Sequence, residues 1–253
     1  FSNINAQVNV APDNFTVERG NLNRAIEQND NDGMVFILQR DGVYWTDAQI
    51  ESTADITIEA AEGDGEPPII RPAVDINFAS HNLFAAEGDL TLRGVYLSGA
   101  SDQGNRNART FMIGTKLTLD NVYTDFDRCI LFQLQANDIS VFATDSKFRH
   151  SGRKDNPNCG RVLDTRGNNV DSLVFVNNTM YTGSFFPLRT DGGTVEYVEF
   201  DHNTIVDWGF YIQFSLTKEL VFTNNLVSSV GFRGNAGRDD IDESVLIFES
   251  FEG

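Results

Sequence analysis

Asn177-Asn178-Thr179-Met180, His202-Asn203-Thr204-Ile205 and Asn224-Asn225-Leu226-Val227 are three renderings of one motif. Each ends an alternating strand, bends at an amide, and places a large apolar residue two positions later. Upstream the same pattern reads Leu92-Arg93-Gly94-Val95-Tyr96, Leu119-Asp120-Asn121-Val122-Tyr123 and Thr144-Asp145-Ser146-Lys147-Phe148. With Gly94, Asn121, Ser146, Asn178, Asn203 and Asn225 as the shared position, the steps are 27, 25, 32, 25 and 22 residues. A period in the twenties made of strands and turns is the mark of a solenoid, whose coils bury their apolar sides only by stacking. Asparagine suits the repeated bend because it tolerates left-handed backbone and can hydrogen-bond along the stack. These amides therefore read as scaffold.

A second strand precedes each motif: Phe111-Met112-Ile113, Ile130-Leu131-Phe132, Val162-Leu163, Phe185-Phe186-Pro187-Leu188 and Phe210-Tyr211-Ile212. Each coil thus holds two or three strands, which implies parallel sheets. Toward the N-terminus, Leu22, Ala25 and Ile26 share one face of a helix over Asn21–Asn29, and Asn31–Gly33 stop it. Met34–Leu38 follows as a buried strand, turned by Asp41-Gly42, then Ile56–Ala60 and Ile69-Ile70. The expectation is an extended segment over 1–17 and a single domain over 18–253, with coils from about Asp55 to about Gly231.

Composition narrows the function classes. The 253 residues are 40% hydrophobic, with 20 Phe against two Trp, ample for a stacked core. The net charge of −18 repels nucleic acid and anionic membrane, and no run of 18 apolar residues spans a bilayer. The first residue is Phe1 rather than Met, and a secreted or cell-surface protein is the expectation.

The order helix, apolar strand, glycine-aromatic turn is carried by Ala25-Ile26, Val35-Phe36-Ile37-Leu38 and Gly42-Val43-Tyr44. It resembles the opening of the pectate-lyase-like superfamily. That resemblance covers nearly the whole chain and implies an all-β, right-handed parallel β-helix with a short N-terminal capping helix. The fold hosts lyases, hydrolases, adhesins and phage spikes, so function has to be argued from a site.

Cys129 stands just before Ile130-Leu131-Phe132, and Cys159 just before Gly160-Arg161-Val162-Leu163. If these strands are successive coils in register, their Cα atoms lie about 4.8 Å apart, within disulfide range. Two buried thiols in a stacked column are the alternative. Between them, Arg149 to Asn158 carries no core pattern and reads as a surface loop on the binding face.

The charge changes sign locally. From Arg128 to Arg189 there are eight Lys or Arg and five Asp, a net +3, whereas the remainder holds 11 bases and 32 acids. Arg166 and Arg189 are 23 residues apart, about one coil, and are expected at equivalent strand ends, stacked on one face. Guanidinium forks match carboxylates, as recognition of a uronate requires. The alternative pairs Arg166 with Asp164 and Arg189 with Asp191 in a surface ladder.

The stretch Gly183 to Asn203 resembles polysaccharide lyase family six, the alginate lyase and chondroitinase B group. That likeness implies a lysine and an arginine one coil apart as base and acid in β-elimination. Arg189 matches the arginine, but the partner position offers Arg166 instead of lysine, and the family's glutamate-rich calcium site is missing. Asp164, Asp191 or Asp201 could supply oxygen ligands to Ca²⁺. Under this reading Arg189 lies near the departing oxygen, with Arg166, Lys154 or His150 as proton acceptor. Arg149, Arg153, Arg161, Asp164 and Asp191 contact the acidic polysaccharide. The rival class is a non-catalytic solenoid subunit that self-associates end to end into an extracellular fibre or surface layer.

Overall fold

The structure is a computed structural model that describes residues 6–14, 18–73, 82–101, 103–104, 106, 109–152, 159–185, 187–190, 192–209, 212–214, 216–230 and, by backbone alone, 246–248. It is a parallel β-solenoid of about eight turns. Each coil contributes one strand to each of three sheets, of nine, eight and eight strands, and every neighbouring pair runs parallel. In the coil spanning residues 116–134 these are Lys116–Asp120 in the first sheet, Tyr123–Asp125 in the second and Ile130–Leu134 in the third.

The coils begin earlier than the sequence suggests. Met34–Leu38, Val43–Thr46 and Ile50–Ser52 already take their places in the three sheets, so the first coil starts at Met34 and not near Asp55. Asp41-Gly42, and not an asparagine pair, makes its first bend, which hides the period. Ahead of it, Gln7–Val10 adds a parallel strand to Met34–Leu38, and the helix Asn21–Gln28 buries Leu22 and Ile26 against the coil. The strand Leu246–Phe248 pairs with Ile212–Phe214, extending the third sheet beyond Gly231.

The bend between first and second sheets uses two positions, and the alignment that treats them as one is corrected accordingly. Gly94, Asn121, Asp145, Asn177, His202 and Asn224 adopt left-handed backbone, with φ between 51° and 63°. The next residues, Ser146, Asn178, Asn203 and Asn225, turn inward and form the ladder. Asn203 Oδ1 accepts from Asn178 N–H at 2.9 Å and Asn178 Nδ2 at 3.1 Å, and Asn203 Nδ2 donates to Phe175 O at 2.7 Å. Gly94 and Asn121, which the sequence pattern aligns with the ladder, belong to the turn column one residue earlier.

Phenylalanine fills the coil interior. Phe84, Phe111 and Phe132 stack from the third sheet at 5.3 and 5.2 Å, and Phe148, Phe175 and Phe200 meet them from the other two sheets. The column fixes orientation: because strand residues alternate, Gln133, one residue after Phe132, faces outward.

Candidate functional site

On that outer face of the third sheet, Met112, Gln133, Asp164, Arg189 and Gln213 form one register column. Asp164 is fully buried despite facing outward. A buried carboxylate is costly unless charge and hydrogen bonds compensate it. Its Oδ1 accepts the Arg166 N–H at 3.1 Å. Its Oδ2 lies 3.2 Å from Arg161 Nη1, 3.9 Å from Arg166 Nε and 3.9 Å from Arg189 Nη1.

Local chemistry explains each approach. Arg161 opens the strand Arg161–Asp164, and its guanidinium lies over the Phe185 ring at 4.8 Å. Arg166 follows the strand with φ 58°, a turn that brings both its N–H and its side chain back to the carboxylate. Arg189 sits in the middle of Leu188–Thr190 as the direct register partner of Asp164. Arg166 and Arg189 are therefore not at equivalent positions, because the coil here is 25 residues and not 23. They share a face nonetheless, converging on one carboxylate.

A fourth arginine was missed by sequence reasoning. Arg109 aligns with Arg161 through Ile130, two coils away. Burial and the Arg166 charge lower its pKa, while Asp164 opposes them. The signal was present as a spacing of two coils, but Arg109 lies outside the 128–189 island. Among the described residues, Arg161, Arg166 and Arg189 bring three guanidiniums within 4 Å of one carboxylate, with Arg166 45% and Arg189 28% exposed.

Arg149 and His150 go elsewhere. They lie within the strand Lys147–Ser151 of the second sheet, so the expected surface loop starts later than Arg149. Phe148, turned into the core, holds that strand against Thr179–Gly183. Arg149 Nη2 pairs with the buried Asp125 at 3.1 Å and lies 4.5 Å over the Tyr123 ring. The His150 ring stacks on Phe126 at 5.0 Å, with Arg106 on Phe126 at 5.1 Å. Burial, then the Arg149 charge, lowers the His150 pKa, so the imidazole is neutral near pH 7. Phe126, His150, Thr182, Asp207 and Ser229 all have φ between 53° and 58°, a second left-handed column without the amide or glycine signature that would announce it.

Among the described residues, the two groups meet at the corner between second and third sheets. The Ser151 hydroxyl lies 3.0 Å from Asp127 Oδ1 and 3.3 Å from Arg161 O. Cys129 and Cys159 form a disulfide across this corner, with Cα atoms 4.2 Å apart. Arg153, Lys154 and Asp191 lie outside the described residues.

The described residues do not fit a calcium site. Asp164 is faced by guanidiniums, Asp201 lies on the first sheet bonded to Thr223, Asn224 and His202, and no three His, Cys, Asp or Glu side chains converge among the described residues. No described helix is long and apolar enough to cross a membrane.

No protein-family model and no curated protein matches the chain. Among solved structures, the chain is similar to an alginate lyase of the PL6 family, AlyGC, at 14% identity and a TM-score of 0.45. The likeness covers 89% of this chain and 39% of that one, so the chain spans well under half the length of that structure.

Proposed function

We propose that the protein binds an acidic polysaccharide on the outer face of its third sheet, at the arginines around Asp164. One observation carries the reading: among the described residues, three guanidiniums lie within 4 Å of a single buried carboxylate in a chain whose net charge is −18. Positive charge concentrated at one place on an acidic body attracts anionic ligands there and repels them elsewhere. The Arg166 and Arg189 side chains reach solvent, at 45% and 28% exposure. Guanidinium forks match uronate carboxylates and sulfate esters bidentately.

The cluster also meets the first requirement of β-elimination, neutralising a uronate carboxylate so that the adjacent C–H becomes acidic. Its described cations are all arginines, whose delocalised guanidiniums are poor bases. Binding is therefore the stated function. A lyase would draw its base from Lys154 or from His150 at the neighbouring corner. The Cys129–Cys159 disulfide supports an oxidising, extracellular setting for this role.

The test measures binding to alginate, pectate and a glycosaminoglycan, with ultraviolet absorbance of unsaturated uronate as the readout for elimination. Arg166→Ala and Arg189→Ala should each weaken binding about tenfold, the loss of one charged hydrogen-bonding partner. Failure of all three glycans to bind, or unchanged binding in both variants, overturns the proposal.

A second reading, a solenoid that stacks end to end, is favoured by the far edge of the first sheet. No described strand covers Thr217–Thr223, and Leu226 on the adjacent strand is 61% exposed. Open strand edges invite pairing. Sedimentation across a concentration series distinguishes the readings: growth in size with concentration favours assembly.

A further inference from the structure

A cleft of about 300 Å³ lies on the second sheet, away from the arginine cluster, lined by Glu66, Pro67, Tyr96, Tyr123, Asp145 and Lys147. We infer that this cleft is a second saccharide site, taking a neutral, hydroxyl-rich oligosaccharide along the solenoid axis. Tyr96, Tyr123 and Lys147 are consecutive members of one register column. Successive coils are about 4.8 Å apart, so the column spans about 10 Å, the length of a disaccharide.

The aromatic platform is held rigid from behind. Tyr96 Oη donates to the buried Asp125 Oδ2 at 2.6 Å, and the same oxygen takes Arg149 Nη2 at 3.1 Å. Arg149 in turn covers one face of Tyr123. Tyr96 and Tyr123 meet edge to face at 4.9 Å and 81°. Tyrosines whose rotamers are fixed before binding give up little entropy to a ligand, and, the rings being perpendicular, one of them can lie flat against the C–H face of a pyranose while the other meets it edge on.

Charge decides the ligand class. Glu66 and Asp145 outnumber Lys147 at the cleft, so a uronate is disfavoured here. Two carboxylates and an ammonium are instead acceptors and a donor for sugar hydroxyls, the few placed polar groups expected of a small-molecule site. The opposite charge of the two sites gives them different ligands, and this one stands whether or not the arginine cluster binds anything.

Calorimetric or NMR titration with cellohexaose, mannohexaose and xylohexaose tests the inference. At least one should bind. Lys147→Ala and Glu66→Gln, both at the surface, should each weaken it about fivefold, while Arg166→Ala leaves it unchanged. Tyr123→Ala should abolish it, with thermal melting used to verify folding. Absence of binding by all three sugars overturns the inference, as does binding that is indifferent to both Lys147→Ala and Glu66→Gln.

Discussion

Replacing Asp164 by Asn removes the one negative charge that the described residues place among the arginines, while keeping the side-chain shape. The amide oxygen can still accept the Arg166 N–H, which Asp164 Oδ1 holds at 3.1 Å. What is lost is the Oδ2 charge facing Arg161, Arg166 and Arg189. Only the Arg161 contact is buried on both sides, at 9% and 0% exposure. Removing one partner of a buried pair costs about 3–5 kcal/mol. The two contacts at 3.9 Å involve more exposed guanidiniums, and such pairs are each worth under about 1 kcal/mol. The lower end, about 3 kcal/mol, fits a site that is partly wet. For a chain of this length it lowers Tm by about 6–12 °C. Because mutual repulsion of the arginines is now unopposed, and Arg166 reaches solvent, the gap between variant and parent should narrow as salt is added. Melting followed by circular dichroism at low and high ionic strength measures both effects. A Tm drop under about 2 °C, or a gap indifferent to salt, would refute the electrostatic account of the cluster.

Asn203→Ala leaves Asn178 N–H, Asn178 Nδ2 and Phe175 O without their buried partner. At about 1–3 kcal/mol per stranded group, a loss of at least about 3 kcal/mol should appear in denaturant unfolding, and a loss under about 1 kcal/mol would deny the ladder its role. The Cys129–Cys159 bridge closes a loop of 30 residues and should contribute about 3.5 kcal/mol. Reductant should therefore lower Tm by about 7–14 °C, whereas two titratable thiols in the unfolded, unreduced chain would contradict the pairing. Burial raises the Asp127 pKa from 3.8 to about 7, against hydrogen bonds from Ser151 and Cys129 that lower it. Between about pH 4 and 7 the folded chain thus keeps a proton the unfolded chain has lost, and this group's contribution to stability declines as pH rises through that window. Asp127→Asn should gain stability relative to the parent between those pH values; a difference that does not change with pH would contradict the assignment.

The sequence by itself determined the solenoid, because periodicity is a property of local order. Asn178, Asn203 and Asn225 recur at coil length, the alternating strands between them can bury one face only by stacking, and the helix over 21–28 carries its own apolar stripe. It also brought Cys129 and Cys159 into reach of each other, since both precede equivalent strands. Register was another matter. A shift of one residue separates the turn column at Asn177, His202 and Asn224 from the ladder beside it, and a difference of two residues set Arg166 apart from the register partner of Arg189. Whether a charged side chain is locked by a partner was equally beyond reach: Arg149 is held by Asp125, and Arg109 shares a register column with Arg161 two coils away. Those outcomes depend on which side chains face one another across coils at about 4.8 Å, and a distance between residues 25 or 50 positions apart exists only once the coils have closed.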